Sequence, residues 1–179
     1  MTSVSPFALL ARNNAWANET LIGACLRLSP GEWDAPRTSF FPSIRETMEH
    51  IHAVDLYYVD AATGGGRGPR AFREAPRFPT PDAMAPAQAL IDAQLVAFCD
   101  GVTEVQLDTI VVTDRDRAGR VEERLGRLLL HLFQHQIHHR GQVHAMLSGT
   151  SVPPPQLDDF FLDFGRVPSA EAGSQATGE

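Results

Sequence analysis

The segment from His131 to Ser148, HLFQHQIHHRGQVHAMLS, constrains this chain more than any other stretch. It holds five of the seven histidines in one run of helical periodicity. At ~100° per residue, Leu125, Leu128, Leu132, Val143 and Met146 form an apolar stripe that must face a core. His139 falls inside the stripe and His135 at its edge, while His131 and His138 lie further round and His144 sits on the far side with Arg140. A histidine-rich helix is often only a solvated face. Two imidazoles four residues apart beside a buried stripe are different, because they stack on one face and are costly to bury unless something accepts both lone pairs. A divalent cation does that. His131, His135 and His139 climb the helix by about 6 Å per step, so they cannot all hold one ion. A third ligand has to come from another helix.

The rest of the chain supplies the helices. Ser5 and Pro6 cap a first helix reaching about Leu28, stopped by Ser29-Pro30-Gly31. The connection after it carries Trp33 and Phe40, both expected to pack on the helices. A second helix starts near Pro42-Ser43 and runs to about Ala62, with Ile44, Met48, Ile51, Asp55 and Tyr58 on one face. His50 and His52 flank that face on opposite sides, and periodicity leaves open which of them turns toward His135 and His139.

Gly64 to Pro69 resembles a phosphate loop only superficially. It lacks the Lys-Ser/Thr ending and follows a helix rather than a strand, so it reads as a flexible connector. A third helix spans about Thr80 to Cys99. Leu107 to Val112 and Arg120 to Glu122 suggest a short β-hairpin, after which the last long helix runs from near Glu122 to Gly149. Leu157 to Phe164 reads as a short aromatic helical turn capping the bundle, and residues 166–179 as a disordered tail. The expected fold is all-α, an up-down four-helix bundle over residues 1–165 with a short hairpin before the last long helix.

Composition removes several classes of function. All 15 basic residues are arginine, so Schiff-base chemistry through lysine is excluded. The net charge of -7 argues against nucleic acid as a partner. Cys25 and Cys99 stand alone on apolar faces and read as buried thiols. The N-terminus lacks the pattern of a signal peptide and no stretch is long enough to span a membrane, so the expected location is the cytoplasm.

The segments ARNNAWANETL, FPSIRETMEHIHAVDLYYVD, HLFQHQIHHRGQVHAMLS and PPPQLDDFFL resemble the DinB family of helical metalloproteins, also grouped with YfiT-like proteins. The resemblance extends to about Phe164 and implies a triad of one histidine from the second helix and an HxxxH pair from the last. Carried onto this chain, the triad is His50, His135 and His139. His50 is chosen over His52 because the family pattern places an acidic residue five positions on, where Asp55 stands. Arg140, Gly141 and Gln142 match the family's RGQ, and imply close helix approach at Gly141 and a surface or dimer contact at Arg140. Glu49 and Gln134 replace the asparagines that precede these histidines in many relatives.

Such a triad suits Zn²⁺ or Ni²⁺, with Fe²⁺ also compatible, and leaves positions for water or substrate. The resemblance implies a metal-dependent enzyme acting on a small molecule, either a hydrolase or a transferase using a low-molecular-weight thiol, and a homodimer. The alternative is a non-catalytic, metal-stabilised stress-response or interaction protein. An HExxH peptidase is excluded, because Gln136 stands where the general base is needed. Glu49, Asp55, His52, His131 and His138 are the remaining acid/base candidates.

Overall fold

The computed structural model describes residues 4–165, so the expected tail lies outside the described residues. Among them the chain forms helices α1 (Pro6–Cys25), α2 (Ile44–Thr63), α3 (Arg70–Arg73), α4 (Pro81–Gly101) and α5 (Glu104–Leu107). Strands β1 (Ile110–Asp114) and β2 (Arg120–Arg124) then lead into α6 (Leu125–Leu147), and α7 (Phe160–Gly165) follows. The molecule is thus mostly helical with one small antiparallel sheet. Of the four long helices, α1 packs on α4 and α6, and α2 packs on α6 and α4.

Local chemistry sets the boundaries. The Ser43 hydroxyl accepts from Glu46 N at 3.1 Å and starts α2, and Thr80 does the same for Ala83 at 3.3 Å to start α4. Gly64, at φ 76°, ends α2 in a left-handed conformation open to glycine. α1 ends earlier than its periodicity implied, because Arg27 N and Leu28 N bond back three residues to Ala24 O and Cys25 O in a tightened last turn. The hairpin forms three residues later than expected on its first strand. A capping box between Thr103 and Gln106 draws Leu107 into α5, and β1 pairs Ile110 with Arg124 through to Asp114 with Arg120. The glycine connector is tied down rather than loose: Arg67 N donates to Asp60 Oδ2 at 2.7 Å. Trp33 is buried, its Nε1 donating to Phe78 O at 3.1 Å, but Phe40 is 78% exposed and does not pack into the core.

The core divides into two apolar clusters. One gathers Val54, Tyr57, Leu95, Leu128, Leu129, Leu132 and Phe133; the other holds Met48, Ile51, Met84, Val143, Leu147 and Trp33. The stretches of α1, α4 and α6 that lie between them carry buried polar residues: Asn14, Asn18, Gln88, Asp92, Gln136 and Arg140. Asn14 Nδ2 and Asn18 Nδ2 donate to Asp92 Oδ1 at 3.1 and 2.9 Å, and their Oδ1 atoms accept from Arg140 Nη1 at 2.5 and 3.0 Å. Gln88 Nε2 links Asp92 to Asp55, at 3.2 and 2.8 Å. Arg140 is therefore 4% exposed and internal, not a surface contact. Its flexible stem carries the guanidinium round to the interior between the helices, which helical-wheel position alone does not register.

Gly141 does not mediate close helix approach either. A Cβ built there meets nothing within 4 Å. Alanine at this helix-interior position removes backbone freedom from the unfolded chain without a clash. Gly141→Ala is expected to stabilise the protein by about 0.5–1 kcal/mol, read from the midpoint of urea unfolding. A loss of stability would show that the site is tighter than drawn.

Candidate metal centre

His50 reaches the centre from α2, and His135 and His139 reach it from successive turns of α6, which packs alongside. One ring nitrogen from each lies within 4.8 Å of the others. His50 Nε2 and His135 Nε2 are 3.0 Å apart, and the His135 and His139 ring centroids are 4.3 Å apart. Ligands about 2.0–2.1 Å from a tetrahedral ion sit roughly 3.3 Å from one another, so modest ring rotations bring this set onto one ion. His52 turns the other way: its Nδ1 meets Gln88 Oε1 at 3.0 Å within the polar core.

The protonation states favour coordination. Burial pulls His50 down to about 4, helped by the neighbouring His139 charge, and pulls His135 down to about 3, helped by His139 and His50. Burial also lowers His139. At neutral pH all three imidazoles are uncharged and offer a lone pair. Because the folded values lie below the ordinary one, protons do not compete for His50 and His135 until the pH approaches about 4. Metal affinity is therefore expected to begin falling only below the usual histidine range near 6.5, since burial lowers all three rings. Titration with a competing chelator at several pH values checks this. A steep loss of affinity beginning near 6.5 would contradict the burial of these rings.

Neighbouring groups orient the ligands. His139 Nδ1 donates to Gln142 Oε1 at 2.8 Å, which leaves Nε2 unprotonated and free to coordinate. Gln142 Nε2 in turn donates to His138 Nε2 at 3.1 Å. His135 Nδ1 and Gln136 Oε1 are both buried without a hydrogen-bond partner among the described residues, and the Gln136 side chain favours a proton on His135 less strongly than burial opposes it. A proton held at Nδ1 leaves Nε2 for the ion. Gln136 Nε2 is bound to Ile51 O at 3.1 Å and to Asp55 Oδ1 at 2.5 Å, which ties the two ligand-bearing helices together beside the site.

Phe41, in the segment before α2, covers the cluster, with its ring 4.5 Å from His50 and 5.7 Å from His139. Beside His50 a cavity of about 220 Å³ is lined by Phe41, Phe72, Glu46, Glu49 and Arg77. Glu49 is committed to its walls, accepting from Arg77 Nη1 at 2.6 Å and from Phe78 N at 2.8 Å. Asp55 is fully enclosed, and burial raises its proton affinity. His131, exposed, stacks 5.5 Å from Tyr58 and 6.1 Å from His135.

The sequence pattern did not single out Phe41, Gln142 as an orienting group, or the polar core. One signal for the core was present. Asn14/Asn18, Gln88/Asp92 and Gln136/Arg140 are three pairs of polar residues spaced four apart on otherwise apolar helices.

The family model described as DinB family matches residues 1–167. The chain therefore belongs to the DinB family. No curated protein matches it significantly. Family membership and the three-histidine cluster are together compatible with metal binding.

Proposed function

We propose that the protein is a divalent-metal-dependent enzyme that acts on a small molecule, with His50, His135 and His139 as ligands and Zn²⁺ or Ni²⁺ as the favoured ions. The reaction is transfer involving a low-molecular-weight thiol, or hydrolysis. The observation that carries this reading is the cavity of about 220 Å³ beside His50, which has room for a small substrate or the reactive end of a larger one. A purely structural ion has no need of such access. A divalent cation bound there supplies Lewis acidity, lowering the pKa of a water or thiol presented to it.

The chain's own residues prepare the site. Gln142 holds the His139 proton at Nδ1, Phe41 shields the histidines from bulk water, and Glu49 fixes Arg77 at the cavity wall. An HExxH peptidase reading finds no support, since Gln136 faces the polar core and cannot serve as a base. The proposal extends to an up-down four-helix bundle formed by α1, α2, α4 and α6 as a single domain over residues 1–165. It further includes a cytoplasmic homodimer formed through exposed apolar residues such as Leu130. Among the described residues, no helix is long and apolar enough to cross a membrane.

The test is to identify the metal carried by the purified protein, then measure conjugation of small thiols to electrophiles, and hydrolysis of small esters and amides, with and without chelator. Activity lost with the metal and restored by adding it back is expected. Turnover indifferent to chelator would sink the proposal. A tightly held metal with no turnover would leave the non-catalytic, metal-stabilised reading in its place.

A further inference from the structure

Arg140 has no ion pair among the described residues, although it is 96% removed from solvent. Both of its hydrogen bonds leave from Nη1, to the neutral carbonyls of Asn14 and Asn18. Nε and Nη2 make none among the described residues. The carboxylate of Asp92 is hydrogen-bonded to the same two asparagine amides rather than to Arg140, and Asp55 and Asp92 act on its charge only through space.

This incompletely used cation lines a second cavity, of about 420 Å³, between α1, α6 and the segment leading into α7. Ile137, Leu157 and Phe161 give it apolar walls, and Asn13 adds a polar edge. Asp158 stands at the rim but is engaged by Gln156 Nε2, and His144 Nε2 donates to Pro155 O. Gly141 also lines the cavity, at the one kind of place where helix propensity argues against it. No neighbouring atom explains the missing side chain. A side chain at position 141 would project into open space at the cavity wall.

We infer that this cavity is a ligand site, separate from the histidine cluster, for a small organic carboxylate whose head group meets Arg140 and whose apolar body lies against Ile137, Leu157 and Phe161. A carboxylate fits because a guanidinium edge with two free N–H directions matches its two oxygens, and because a desolvated cation strengthens such bonds. The apolar walls exclude a fully hydrated inorganic anion as the preferred occupant. The glycine keeps the approach to the arginine open.

Isothermal titration of the full chain with benzoate tests this directly, with its neutral isostere benzamide and with inorganic phosphate as comparisons. Saturable benzoate binding is expected, at least tenfold tighter than either comparison, and unchanged when metal is removed. Gly141→Leu places a bulky side chain in the cavity and is expected to weaken benzoate at least tenfold while unfolding remains cooperative. Ile137→Glu, at an exposed helix position, places a like charge beside the anion and should have the same effect. Absence of benzoate binding, benzamide binding as tightly, or unchanged affinity in Gly141→Leu would each overturn the inference. Because the readout needs neither metal nor turnover, failure here leaves the proposal for the histidine site standing, and the reverse also holds.

Discussion

His135→Ala is expected to abolish stoichiometric metal binding, lowering affinity by at least about 100-fold, while the chain remains folded. His135 is the middle of the three clustered histidines, with its Nε2 3.0 Å from that of His50 and its ring 4.3 Å from that of His139. Removing it leaves two imidazoles, too few to retain a divalent ion against water. The metal-free fold loses one ring contact set and one net hydrogen bond, a cost of about 1 kcal/mol. His131→Ala is the control. Its ring is one turn away on the same helix, 6.1 Å from His135, and outside the cluster, so the metal should stay. Elemental analysis and circular dichroism of both variants decide the matter. Retained metal in His135→Ala would remove His135 from the site, and global unfolding would make the centre structural.

Arg140→Ala is expected to cost about 3–5 kcal/mol. Among the described residues the guanidinium is the one cation among the buried side chains, and it faces two asparagine carbonyls whose amides are bound to Asp92. Truncation strands those carbonyls and leaves Asp55 and Asp92 without a nearby positive charge. Burial already raises the proton affinity of both acids, and Asp55 adds to the effect at Asp92. A carboxyl whose folded value lies above its unfolded one contributes stability at pH below the unfolded value, and that contribution is lost as the pH rises through the folded value. The two acids therefore destabilise the protein toward alkaline pH, and Arg140 offsets them. The penalty of Arg140→Ala should be greater at pH 8 than at pH 5. Urea unfolding at the two values measures it, and a penalty below about 1 kcal/mol, or one independent of pH, would show that Arg140 does not hold the network.

Much of the helical framework was legible in the chain because its signals are local. Ser43 and Thr80 announce α2 and α4 through a hydroxyl that satisfies a backbone N–H three residues on, a geometry that needs no distant partner. The hairpin was visible in its β-rich runs, but its register was not. Register depends on where α5 ends, and that is fixed by the Thr103–Gln106 box. Phe40 and Phe41 show the limit of composition. Two adjacent aromatic rings of equal hydrophobicity part company, one exposed to water and one laid over His50.

The sequence by itself determined that two imidazoles of the last long helix share one face, because a 3.6-residue repeat places His135 and His139 one turn apart whatever surrounds them. Periodicity left open whether His50 or His52 joins them; the resemblance pointed to His50, and the tertiary structure supplies the physical reason. The two lie on opposite flanks of α2, and only the packing of α2 against both α6 and α4 turns one ring toward His135 and the other toward Gln88. The same holds for Arg140. Its place on the helical wheel pointed away from the apolar stripe, and its burial followed from four helices each contributing polar groups to one enclosed layer. Periodicity reports which direction a residue leaves its own helix, whereas hydrogen-bond partners from other helices decide where a long side chain comes to rest.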